Sequence, residues 1–173
     1  IIEYRIFFFK MAGEPMKKLG RVMVVDDEEN IREVLSNYLE SMNYSVDTAE
    51  DGQQALQNYK KGDFDLIISD LLMPNIDGLE LLKRVREIDK DVIFLMITGY
   101  PSIETAVDAI KKGAYDYITK PFHMEDVKLR IERAFEKRSL KERLKTVQGL
   151  MWALLFSIPL WLILGIILAA ILK

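Results

Sequence analysis

Five residues of this chain could act together chemically: Asp26 and Asp27, Asp70, Thr98 and Lys120. Three carboxylates brought into one cleft repel one another, and a hard cation relieves that repulsion. A donor set made of oxygens alone suits Mg²⁺, which keeps several waters and readily accepts a phosphate oxygen. A threonine hydroxyl adds a donor, and a lysine adds a compact positive charge on a long stem. A metal, an ammonium and a hydroxyl around one carboxylate are the parts that phosphoryl transfer requires. In that arrangement Asp70 is the nucleophile and the product is an aspartyl-phosphate. Taken singly, each residue also has a structural use. Asp26 and Asp27 can cap a helix, Asp70 can open a turn, Thr98 can bond to backbone, and Lys120 can sit in solvent. The elements that carry them decide whether they meet.

Each of the five lies where an apolar run ends. Val22–Val25 is a short buried strand that stops at Asp26-Asp27. A helix follows, capped by Asp27, with Ile31, Val34, Leu35, Tyr38, Leu39 and Met42 at spacings of three and four. Residues 44–49 alternate as a second strand, and a helix through Ala55, Leu56 and Tyr59 stops at Gly62. Leu66, Ile67 and Ile68 are too few for a helix. They lie between Gly62-Asp63 and the turn-formers Pro74, Asn75, Asp77 and Gly78, and read as a strand buried on both faces, ending in Asp70. A helix runs through Leu79, Leu82 and Val85 to about Ile88, and residues 92–97 make a fourth strand ending at Thr98-Gly99. Ser102 caps the next helix, whose Ile103, Ala106, Val107 and Ile110 are expected to face inward. Gly113 closes it, residues 115–119 are the fifth strand, and Lys120-Pro121 follow. The last amphipathic helix begins near Met124 and uses Val127, Ile131, Ala134 and Phe135.

Strands alternating with helices through short loops predict an α/β, doubly wound, five-stranded parallel sheet with helices on both faces. In such a sheet every strand's carboxyl end lies on one edge, where ligands bind. That edge collects all five residues.

Composition narrows the function classes. The chain has 173 residues, 50% of them hydrophobic, with a net charge of −3. Residues 16–123 are acidic on balance, whereas 124–145 are basic, so the chain as a whole is not a nucleic-acid binder by charge. The absence of cysteine excludes disulfides, thiolate metal sites and a thiol nucleophile. The single histidine, His123, excludes a multi-histidine metal centre and reads as a solvent-facing loop residue.

Four motifs in combination resemble the receiver domain of two-component response regulators, the CheY-like variant of the flavodoxin-like fold. They are VVDDEE after the first strand, LIISDLLMPNIDG around the third, MITG after the fourth and YITKPF after the fifth. The resemblance implies that Asp70 is the phosphoacceptor and that Asp26, Asp27, Asp70 and the backbone carbonyl of Leu72 hold Mg²⁺. It implies that Thr98 and Tyr117 are the switch pair, although Tyr117 alone could be an ordinary core aromatic, and that Lys120 contacts the phosphate. A cis bond before Pro121 is expected on the same ground. The implied partners are a sensor histidine kinase as donor and a downstream protein as target, with a phosphorylation-dependent dimer compatible; an enzyme in its own right is not implied. Two departures stand out. Leu72 is apolar and Tyr100 is bulky, and both flank the path of a hydrolytic water, so a long-lived phosphate is expected.

By this reading residues 1–18 are a leader of unknown role, 19–137 the receiver domain, 138–149 a basic helical linker and 150–172 a transmembrane helix. The last stretch, LMWALLFSIPLWLILGIILAAIL, carries no charge and is long enough to cross a bilayer core. The Lys- and Arg-rich flank from Lys128 to Lys145 predicts a single-pass protein with its receiver on the cytoplasmic face of the inner membrane. No ATPase or helix-turn-helix motif lies within these residues. The expected function is a membrane-tethered, single-domain response regulator signalling by protein–protein contact. Two alternatives stay open: a phosphorelay carrier or phosphate sink, and a remnant of a transcriptional activator lacking its output domains.

Overall fold

A computed structural model describes the backbone of residues 18–171, and the side chains of these apart from 142, 156 and 158–171. Among the described residues the strands are β1 (Arg21–Val25), β2 (Ser45–Ala49), β3 (Leu66–Asp70), β4 (Ile93–Thr98) and β5 (Asp116–Thr119). The helices are α1 (Glu29–Ser41), α2 (Gly52–Asn58), α3 (Gly78–Ile88), α4 (Ile103–Lys111) and α5 (Met124–Ile171). The chain divides after Arg130 into two compact units. The first holds the sheet and α1–α4, and the second is the remainder of α5.

All strand pairs are parallel, in the order β2-β1-β3-β4-β5. The direction of winding reverses between β1 and β3, and that reversal opens a crevice at their carboxyl ends. The central strands β3 and β4 are buried at every position, which is why their sequences are continuous apolar runs rather than alternating ones. Phe94, Ile67, Met96, Leu82 and Val85 are at the centre of the core, each removing roughly 2 kcal/mol worth of apolar surface from water.

The loop after β3 is braced from several directions. Asp77 caps α3 through the Glu80 N–H, and Asp51 caps α2 through the Gln54 N–H. The second Asp51 oxygen accepts from Asn75, which stands in the left-handed region at φ 61°. Gly78 packs on the Asp70 carbonyl so closely that an added Cβ would lie 2.1 Å from its oxygen. Asp70 therefore sits at the end of a strand whose exit is held on both sides.

Three expectations are corrected here. First, α1 starts at Glu29, and Asp27 does not cap it; the Glu28 N–H is taken by Asp26 instead, at 2.9 Å. The tight turn after β1 turns Asp26 back on the chain and leaves Asp27 exposed. Second, α4 does not turn its large apolar residues inward. Ile103 is 79% exposed, Val107 45% and Ile110 48%, and only Ala109 is buried. A four-residue edge strand such as β5 offers room for one narrow stripe, and a small residue fills it.

Third, among the described residues no helix is long and apolar enough to cross a membrane. The stretch 150–172 is not a separate element: it continues α5 as far as Ile171. Charges recur along α5 up to Lys145. The side chains from 158 onward lie outside the described residues. The transmembrane helix over 150–172 and the single-pass placement at the inner membrane are accordingly withdrawn. The leader over residues 1–18 lies outside the described residues apart from its last position.

Candidate functional site

The ends of β1, β3, β4 and β5 meet at one edge of the sheet. Asp26 follows β1 and is buried, Asp70 closes β3 and is buried, and Thr98 closes β4 and is fully buried. Carboxylate oxygens of Asp26, Asp27 and Asp70 all lie within 4.8 Å of one another. Lys120, just past β5, reaches back across the edge. Its ammonium donates to Asp26 Oδ2 at 2.8 Å, Asp70 Oδ2 at 3.0 Å and Glu28 Oε1 at 3.2 Å. The other Asp70 oxygen accepts from the Leu71 N–H at 2.6 Å. A cleft of about 240 Å³ opens over this cluster, lined by Asp27, Glu28, Asp70, Leu72, Gly99, Tyr100 and Lys120. The Lys120-Pro121 bond is cis.

The electrostatics follow from burial and pairing. Burial raises the Asp26 carboxyl above its usual range, and bonds from Lys120 and the Glu28 N–H only partly oppose this; Asp70 nearby adds repulsion. Burial alone would lower the Lys120 ammonium, but the bonds to Asp26 and Asp70 outweigh it and hold the group above its ordinary value. At neutral pH one cation thus stands between carboxylates that would otherwise face each other. An oxygen-only set with a partly exposed member, Asp27, fits a hard divalent ion that keeps some of its water.

Thr98 Oγ1 accepts from the Tyr100 N–H at 3.1 Å, which leaves its own proton free to be donated. The Tyr117 ring is partly buried against the core, and its hydroxyl is 3.0 Å from Thr105 Oγ1 on α4. Thr105 also completes a capping box with Ser102.

Residues 22–132 match the family model of the response regulator receiver domain. The chain belongs to that family. Among relatives of this receiver is the regulatory protein AtoC of Escherichia coli, 32% identical over 130 residues, which are 75% of this chain and 28% of AtoC. Another is the transcriptional regulatory protein ResD of Bacillus subtilis, 38% identical over 119 residues, 69% of this chain and 49% of ResD. The chain spans only about a quarter to a half the length of these curated relatives. Among solved structures, the receiver is similar to the beryllofluoride-activated NtrC4 receiver domain dimer, with 43% identity and a TM-score of 0.65 over 68% of this chain and 98% of that one. This chain is therefore the receiver domain of a two-component response regulator, and the relatives named are regulatory proteins. Receiver domains are signalling domains that histidine kinases phosphorylate, that bind Mg²⁺ at an acidic pocket, and that in some cases dimerise on activation.

The structure brings Asp26, Asp27, Asp70 and Lys120 into one cluster with Leu72 on the rim, buries Thr98 at the adjoining strand end, and sets Tyr117 farther along β5. His123 lies exposed between β5 and α5, as expected. Three participants escaped the sequence reading. Glu28 is the third carboxylate on Lys120, and the acidic run Asp26–Glu29 was the signal for it. Arg32 donates to the carbonyls of Asp26 and Asp27 and so braces the turn that presents them; one helical turn past the aspartates is where such a brace would stand. Thr105 was legible as the partner in a Ser102-x-x-Thr105 cap, but its bond to Tyr117 joins separate elements and left no trace in spacing.

Proposed function

We propose that Asp70 accepts a phosphoryl group from the phosphohistidine of a sensor kinase, and that the domain acts as a switch for a downstream protein. The observation that carries this reading is Lys120 Nζ lying within hydrogen-bond reach of both Asp26 and Asp70 at the floor of the cleft. An Asp70 oxygen attacks phosphorus in line, the phosphorus–nitrogen bond breaks, and the imidazole leaves. Lys120 exchanges its carboxylate partner for a phosphoryl oxygen, so its charge stays paired through the step. Asp26, Asp27 and Asp70, with the Leu72 carbonyl, would hold Mg²⁺, which supplies positive charge to the phosphoryl oxygens.

Thr98 then donates its hydroxyl proton to the new phosphate. Movement of Thr98 makes room for the Tyr117 ring to turn inward, away from Thr105. Charge at one strand end thereby becomes a change of shape beside α4 and β5. The exposed stripe of Ile103, Val107 and Ile110 on α4 is the surface that favours a protein target there. The activated dimer of the similar NtrC4 receiver makes a phosphorylation-dependent dimer compatible with the same reading.

Acetyl phosphate with Mg²⁺ tests the first step. Intact-mass spectrometry should show one added phosphoryl group on the wild type and none on Asp70→Asn. Equal uptake by the two proteins would remove Asp70 from the role.

A second reading, that this receiver is related to those of transcriptional activators, is compatible with the regulatory relatives. Phosphorylation-dependent binding of the chain to the isolated output domains of such a relative would support it; identical binding by Asp70→Asn would count against it.

A further inference from the structure

Asp51 is a buried carboxylate that the phosphoryl transfer does not use. Capping α2 occupies one of its oxygens: Oδ1 accepts from the Gln54 N–H at 2.7 Å. A serine or threonine would cap equally well with its single oxygen. What a carboxylate adds is the second oxygen, and Oδ2 accepts from the Asn75 amide at 2.5 Å. The donor is as particular as the acceptor, because Asn75 stands at φ 61°, a backbone that Asn and Asp adopt more readily than other side chains. Beside this bond the Gly52 N–H donates to the Ile76 carbonyl at 3.2 Å, and a Cβ at Gly52 would lie 2.6 Å from that oxygen. The start of α2 is thus seated directly on the loop that follows β3.

That loop carries Leu72, and a backbone carbonyl cannot be aimed by its own side chain. The base of the loop is fixed, since the Leu71 N–H donates to the Ile97 carbonyl and the Gly78 N–H to the Leu71 carbonyl, both at 2.9 Å. Its outer side is held by the bonds from Asp51 and Gly52. The same corner reaches the opposite side of the cleft, where the Ala49 carbonyl accepts from the Asp26 N–H at 3.2 Å. Residues 49–52 therefore bond to the chain that bears Asp26 and to the chain that bears Leu72. We propose that Asp51 and Asn75 are positioning residues for the divalent ion, their bond setting the Leu72 loop against the Asp26 turn. The proposal rests on the reading of Asp26, Asp27, Asp70 and the Leu72 carbonyl as the Mg²⁺ set. Both side chains act through the loop rather than as ligands.

Calorimetric titration of the full chain with Mg²⁺ alone, without phosphodonor, tests it. Asn75→Gly removes the amide, changes no charge and tolerates the left-handed backbone. It should weaken Mg²⁺ binding about tenfold, the cost expected when a group that orients a ligand is lost. Asn75→Asp sets two carboxylates against each other and should also weaken binding, although its added charge by itself would attract the cation. Combining it with Asp51→Asn exchanges donor and acceptor at unchanged net charge and should restore wild-type affinity. In uptake from acetyl phosphate, Asn75→Gly should need about tenfold more Mg²⁺ for half the maximal rate and should reach the wild-type rate at saturation. Circular dichroism in chelator confirms that each variant is folded, and the exchange keeps the test open if Asn75→Asp is not. Wild-type affinity in Asn75→Gly overturns the positioning role while leaving the metal site standing. Failure of the exchange to restore binding overturns it too, as does a rate deficit without a change in Mg²⁺ affinity. A wild type that binds no Mg²⁺ overturns the metal set itself, and the proposal falls with it.

Discussion

The hydroxyls of Tyr117 and Thr105 lie 3.0 Å apart, joining the edge strand β5 to the first turn of α4. This bond holds the tyrosine ring in its present position, and it is made by the same oxygen that closes the α4 capping box with Ser102. Tyr117→Phe removes the bond alone. Thr105→Val removes both the bond and half of the cap, at a cost of about 1 kcal/mol. Both variants should therefore ease inward rotation of the ring, while only Thr105→Val lowers the melting temperature. NMR of the residue-117 ring with and without beryllofluoride separates the effects; an unshifted ring population in both variants would count against a restraining role for the bond.

Removing the Lys120 ammonium leaves Asp26 and Asp70 facing each other inside the cleft. Lys120→Met should cost about 3 kcal/mol at pH 7 in chelator, and Mg²⁺ should recover part of it. The bonds to Asp26 and Asp70 raise the lysine's folded pKa, so its contribution is complete below its unfolded value near pH 10 and fades as pH rises beyond. Urea denaturation of the wild type across pH 7 to 11 should show that late loss, and the Met variant should lack it.

Asp26 runs the other way. Its carboxyl is raised, so the folded state binds its proton more tightly than the unfolded state, and ionised Asp26 costs stability as pH climbs from about 4. Asp26→Asn should stabilise the metal-free domain by on the order of 1 kcal/mol at pH 7. The gain should vanish near pH 3. A loss of stability at pH 7 would show that pairing with Lys120 outweighs burial.

At Gly78 the limit is space. A methyl group there would meet the Asp70 carbonyl oxygen at 2.1 Å and Met96 Sδ at 2.9 Å. Gly78→Ala should cost about 3 kcal/mol and shift Asp70, which denaturation and the rate of phosphoryl uptake will both report.

The apolar Leu72 side chain at the rim of the cleft has no group that could orient a water. Leu72→Asn supplies an amide at the rim and should shorten the life of the aspartyl-phosphate severalfold. Time courses of phosphate loss after removal of donor will decide; equal rates would show that water reaches phosphorus by another route.

The strand ends were legible because buried parallel strands leave continuous apolar runs, and the polar residue that stops each run is conspicuous. Asp26, Asp70 and Thr98 could be placed on one edge for that reason alone. Inward-facing α4 residues were misjudged because Ile103, Val107 and Ile110 share a helical stripe whether the sheet or another molecule covers it. Periodicity reports that a face is apolar, not what meets it. The reading of 150–172 failed on a related point: an apolar stretch was taken as an element of its own, whereas it continues a helix whose nearer turns are charged. Glu28 and Thr105 act through contacts between distant elements, and no local pattern encodes such contacts.

Lys120 bonds to Asp26 across 94 residues of chain and to Asp70 across 50. No fragment ending before β5 can hold both carboxylates and their cation, however complete its first three strands are. Contacts of such sequence separation form late, after loop-closure entropy has been met by the rest of the sheet. Competence to take up phosphate is therefore a property of the finished domain. A nascent or nicked chain stays silent, and acyl-phosphate yield doubles as a sensitive assay of cooperative folding.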